Sequence, residues 1–128
     1  MKPLTREWVA KAEGDFFHAA TAMKSRSRHV QGGVCFHRQQ CVEKYLKARL
    51  VEAGVAPPRT HDLQDLLNLL LPHEPLWAAW NSTMSALTFF AVAFRYPGTS
   101  ATRADARQAL QLCRSILREI RLSLGLKP

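Results

Sequence analysis

At 128 residues with 47% hydrophobic content, the chain is long enough for one domain around one core, spanning 1–128, and too short for two. A formal net charge of +8 favours an acidic partner, such as nucleic acid, a nucleotide phosphate or an acidic protein, without choosing among them. Three cysteines, Cys35, Cys41 and Cys113, form no CxxC pair and no even framework, which argues against a secreted disulfide scaffold and predicts a reducing, cytoplasmic setting.

The first element is a helix with Leu4 as staple residue and Thr5 as N-cap, followed by Trp8, Ala12, Asp15, Phe16, Ala19, Ala20 and Met23 at spacings of three and four. Arg6, Glu7, Lys11 and Glu13 interrupt any signal-peptide core, and the longest apolar stretch, Ala86 to Phe94, is too short to span a bilayer. The basic loop Ser25-Arg26-Ser27-Arg28-His29 separates this helix from a second, expected from near Gly32-Gly33 to about Glu52. Gly54 and Pro57-Pro58 then break the chain. Thr60 is the expected cap of a short third helix through Leu71, and Pro72 and Pro75 precede a fourth from about Leu76 to Phe94. That fourth helix carries Trp77, Trp80, Met84, Leu87, Phe89, Phe90 and Phe94 and should be buried on most sides. Thr102 and Asp105 form a capping-box pattern opening the last helix, which Gly125 ends. Its apolar face is Ala109, Cys113, Ile116, Leu117, Ile120 and Leu124. With no alternating strand pattern, the expected fold is all-α, an antiparallel bundle of four to five helices running up and down.

Function is most legible on the second helix. At 100° per residue His37, Gln40, Lys44 and Lys47 share one stripe with Glu43 on its flank, while Arg38 and Arg49 form a second polar line inside the apolar arc. Buried charge must be paired, so this helix is expected to face a polar groove or a subunit interface. Asp15, among apolar positions of the first helix, reads as a buried partner for a Lys or Arg rather than as a catalyst. His37 and Cys41 have the spacing of two metal ligands, but no third or fourth ligand follows, so no metal is assigned. On the last helix Arg103, Arg107, Arg114, Arg118 and Arg121 fall within an arc of roughly 60°, a basic stripe suited to a phosphate backbone or an acidic protein, or simply to solvent.

The string from His37 through Glu43, Lys44 and Lys47 to Ala48, then Thr60-His61-Asp62-Leu63, then Arg95-Tyr96-Pro97, together with Trp8, Ala12 and Asp15, resembles the HEPN domain family over essentially the whole chain. The resemblance implies a small all-α bundle, a homodimer, and a partnership with a small nucleotidyltransferase in a toxin–antitoxin type pair. It also implies that some branches are ribonucleases, using an Arg followed a turn or two later by a His. Counted from Arg95, that His would stand at Ser100, Ala101 or Thr102, so the motif is incomplete and the acid or base of RNA cleavage is missing there.

The expected function is therefore a nucleotide- or RNA-associated binding module, with a groove of His37, Gln40, Glu43, Lys44, Lys47, His61, Arg95 and Tyr96 and no cofactor. Lys and Arg would engage phosphate and Tyr96 would stack on a base. Arg95 and Tyr96 are expected to be partly buried, near Lys44 or His37. Two alternatives stand beside it: a metal-independent toxin ribonuclease using Arg95 with His61 or His37, and a structural scaffold whose polar groove only fixes helix register.

Overall fold

The computed structural model describes residues 1–128 and contains five α-helices and no strand. They are α1 (Pro3–Met23), α2 (Gln31–Glu52), α3 (Leu63–Leu70), α4 (Asn81–Ala93) and α5 (Arg103–Ser123), with a 3-10 helix at Pro75–Trp80 leading into α4. The all-α bundle expected from the sequence is the observed architecture. A cluster of 23 buried residues forms the core, drawn from every helix and from Trp77 of the 3-10 turn. No helix is long and apolar enough to cross a membrane.

The central element is α2, which packs against α1, α3, α4 and α5. Its centrality explains its composition: Val42, Leu46 and Leu50 are buried, but so are Arg38, Gln39, Glu43 and Lys47, because neighbours cover the polar side as well. It stops where Gly54 takes φ +80°, a left-handed conformation that glycine adopts without Cβ strain, and Val55 N–H donates back to Leu50 O at 2.9 Å. Gly125, at φ +76°, ends α5 in the same way, with Leu126 N–H donating to Arg121 O at 2.8 Å.

Several boundaries differ from the sequence expectation for local reasons. Helix α1 begins at Pro3, whose fixed φ suits a first helical turn, with Lys2 at the cap position, so Thr5 lies buried inside the first turn and caps nothing. Asp62, rather than Thr60, caps α3 by accepting from Gln64 N–H at 2.9 Å, while the Thr60 hydroxyl accepts from Asp62 N–H at 3.1 Å. The fourth helix is shorter than expected, because the Pro75–Trp80 stretch winds as a 3-10 turn before α4 starts. It is also not buried on most sides: Met84, Leu87 and Phe90 enter the core, but Phe89 is 62% exposed and Val92 54%. The capping box at Thr102 and Asp105 forms as expected, with both reciprocal hydrogen bonds in place.

Candidate functional site

The polar side of α2 resolves into two clusters. The first surrounds Asp15, which α1 buries against α2. One of its carboxylate oxygens meets His37 Nδ1 at 2.7 Å and the other takes the Lys44 ammonium. This is the structural pairing expected for Asp15, and it directs His37 and Lys44 toward α1.

The second cluster is organised by Glu43, itself buried. Its Oε1 meets His61 Nδ1 at 2.9 Å and accepts from Gln40 Nε2 at 3.3 Å, and its Oε2 takes Lys47 Nζ at 3.2 Å. Gln39 Nε2 donates to the backbone carbonyl of His61 at 2.8 Å, and Gln39 Oε1 accepts from Gln40 Nε2 at 2.8 Å. The segment between α2 and α3 is thereby tied down through both backbone and ring of His61. With Nδ1 engaged by a carboxylate, Nε2 is the ring nitrogen left for a ligand.

Beside this network lies a cavity of about 300 Å³ lined by Phe36, Gln39 and Gln40 of α2, His61 and Asp62 before α3, and Thr88, Ala91, Val92 and Arg95 at the end of α4. The Arg95 guanidinium carbon stands 5.3 Å from the Phe36 ring centroid, a cation–π placement at the cavity wall. An aromatic plate, two carboxamides, an imidazole and a guanidinium therefore converge on one hollow. Such a set can stack a planar ring, read its hydrogen-bonding edge and meet an anion.

Of the expected groove residues, Gln40, His61 and Arg95 line this cavity, and Glu43 and Lys47 stand behind it as buried support. Lys47 cannot serve as a phosphate contact because its ammonium is spent on Glu43 and lies 5.4 Å from the Trp8 ring centroid. His37 and Lys44 belong to the Asp15 cluster instead. Tyr96 is 68% exposed and does not line the cavity, and Arg95 is likewise exposed, which corrects the expectation that both are partly buried beside Lys44 or His37. The reason is that α4 ends at Ala93, so Arg95 and Tyr96 sit in the turn beyond it. Phe36, Gln39 and Asp62 were missed. Gln39 and Asp62 each adjoin a residue that was singled out, whereas nothing in the sequence marked Thr88.

The arginine stripe of α5 is not uniform. Arg103 at one end donates to the backbone carbonyls of Met23 and Ser25, at 3.1 and 2.9 Å. Arg121 at the other end pairs with Glu13 and donates to the Tyr45 hydroxyl at 2.6 Å. Burial first, and then the Glu13 carboxylate to which it donates, push the Tyr45 phenol above its ordinary range. Only Arg107, Arg114 and Arg118 stand exposed in the way a continuous binding stripe requires. The second polar line of α2 divides too: Arg49 donates to Glu74 at 3.1 Å and to Ser123 at 2.7 Å, but Arg38 meets no carboxylate. Near Arg38, the buried Cys41 and Cys113 thiols share a hydrogen bond that raises Cys41 and lowers Cys113, with the Arg38 charge adding to the second effect.

With this geometry in view, the model of the HEPN domain family matches residues 5–123. A solved structure, the crystal structure of TT1696 from Thermus thermophilus, superposes with a TM-score of 0.79 at 23% identity, covering 91% of this chain and 95% of that one. At that identity the likeness speaks for the fold. None of the curated proteins compared matches the chain.

Proposed function

The chain belongs to the HEPN domain family, and from that premise we propose that it is a nucleotide- or RNA-associated binding module that works with a small nucleotidyltransferase in a toxin–antitoxin type pair. The observation that carries the binding role is the cavity at the junction of α2, α3 and α4, where Phe36, Gln39, Gln40, His61 and Arg95 meet. Arg95 supplies charge for a phosphate, Phe36 a stacking surface, and the carboxamides hydrogen bonds to a base edge. The partnership with a nucleotidyltransferase rests on family resemblance, and copurification from the native host tests it. For the cavity, titration with nucleotides and short RNA should give binding that Arg95→Gln weakens by about tenfold, as expected for one lost charge-assisted contact. Unchanged affinity in Arg95→Gln removes the cavity from the function.

One observation favours a second reading. Arg95 and His61 line the same cavity, and Glu43 holds His61 by Nδ1, the arrangement of an oriented general base or acid. On that reading the imidazole absent at positions 100–102 is supplied from His61, and the protein is a metal-independent ribonuclease. RNA cleavage in the presence of EDTA, abolished in His61→Ala, is the result that selects it. The scaffold reading requires neither binding nor cleavage.

A further inference from the structure

A second hollow lies on the opposite side of α2, between α1 and α5. It has a volume of about 290 Å³ and is walled by Phe16 of α1, Tyr45 of α2, Leu117, Arg114, Arg118 and Arg121 of α5, and Pro128 beyond it. It shares no residue with the first cavity. Glu13 is the acidic side chain in its wall, and that carboxylate is already committed to Arg121 and Tyr45.

What distinguishes this hollow is an excess of positive charge, with Arg114, Arg118 and Arg121 in its wall and Glu13 as the acidic side chain against them. Arg114 and Arg118 are exposed and belong to none of the ion pairs in the molecule. Behind the wall, Arg38 is buried to 2% exposure with Nε and Nη1 lacking any hydrogen-bond partner, and its guanidinium carbon lies 4.9 Å from the centroid of the Phe16 ring. A buried guanidinium with no carboxylate partner is costly, and besides acting on the Cys113 thiol it places positive charge behind the Phe16 ring. Once Glu13 is set against Arg121, Arg114 and Arg118 stay unpaired in the wall of one concave site, with Arg38 behind the Phe16 ring.

We propose that this hollow binds a phosphomonoester carrying a planar ring, that is, a nucleoside monophosphate, free or as the terminal nucleotide of an RNA strand. Arg114 and Arg118 lie four residues apart on α5, so their planar forks stand side by side at the mouth and together match the charge of one dianionic phosphoryl group. Phe16 offers its ring edge and face to the base, and Leu117 the apolar floor. The volume lies at the small end of ligand sites, which suits one nucleotide and excludes a duplex. This site does not depend on the function proposed for the first cavity.

The test is a calorimetric titration in the Arg95→Gln background, so that the first cavity contributes no guanidinium. A nucleoside 5′-monophosphate and inorganic phosphate should both bind, and the matching nucleoside should bind far more weakly. Adding Arg114→Gln and Arg118→Gln should weaken the monophosphate by about tenfold per residue, as for a lost hydrogen bond to a charged group, while thermal melts stay unchanged because both side chains are exposed. Phe16→Leu should weaken the monophosphate and leave inorganic phosphate unaffected. Competition by an RNA oligomer bearing a terminal phosphate, with none from its dephosphorylated twin, identifies the strand end as the source; competition by the free nucleotide alone identifies the soluble pool. Equal competition by both oligomers, full affinity after the double replacement, or no binding of either phosphate probe overturns the inference.

Discussion

Asp15 is surrounded on both oxygens, by the His37 imidazole and the Lys44 ammonium, and this occupancy makes it a fastener between α1 and α2 rather than a base waiting for a proton. The same logic of burial governs Cys35, whose thiol is pushed up to about 12 by desolvation, with the Asp105 charge adding to it. An acid with a raised folded pKa keeps its proton in the native state while the unfolded chain loses it. The stability it supports is thus complete below the ordinary thiol value of 9.0 and lost as pH climbs from there toward 12. Cys35→Ala should therefore flatten the fall of unfolding free energy between pH 9 and 11 by up to about 1.4 kcal/mol per pH unit, the weight of one proton. Urea unfolding of both proteins at several pH values reads this directly; parallel pH profiles would show that Cys35 does not titrate differently in the two states.

At the scale of elements, α5 was the most legible helix because all its signals agree: a reciprocal cap at Thr102 and Asp105, one continuous buried face from Ala109 to Leu124, and a glycine stop. The cap can be weighed. Thr102→Ala removes the acceptor that holds Asp105 N–H at 3.1 Å and should lower stability by about 1 kcal/mol, seen as an earlier urea midpoint with an unchanged slope. No shift in the midpoint would mean that the end of α5 frays without consequence. By contrast, α4 was misread because hydrophobicity alone does not say which side a helix buries: the run Leu87, Phe89, Phe90, Val92 contains both core and surface positions. Helix α2 hid its partners for the opposite reason. Covered on nearly all sides, it gives no single apolar face from which to tell a ligand-facing polar residue from a paired one, so Lys44 and Lys47 looked like phosphate contacts.

At the scale of the whole molecule, the sequence located the polar ingredients of a site but treated them as one groove, because helix periodicity reports angle around an axis and not which neighbour covers each angle. The structure divides them into the Asp15 fastener, the cavity at His61 and Arg95, and the hollow at Arg114 and Arg118. The rim of the first cavity carries the feature that bears on assembly. Phe89 and Val92, three residues apart on α4, are 62% and 54% exposed, and Tyr96 follows just past the helix end. Large apolar side chains grouped in this way on a small protein suit a contact surface. Since Val92 also lines the first cavity, a second copy seated on this face would wall that cavity as well. The expectation is a homodimer in which two cavities face one another, with a light-scattering mass of twice the 14.4 kDa chain at micromolar concentration. Phe89→Glu, a change at an exposed position that leaves the core intact, should return the monomer mass with the helical circular dichroism preserved. A wild-type protein that scatters at 14.4 kDa removes the shared wall, and binding at Arg95 must then be accounted for within one chain.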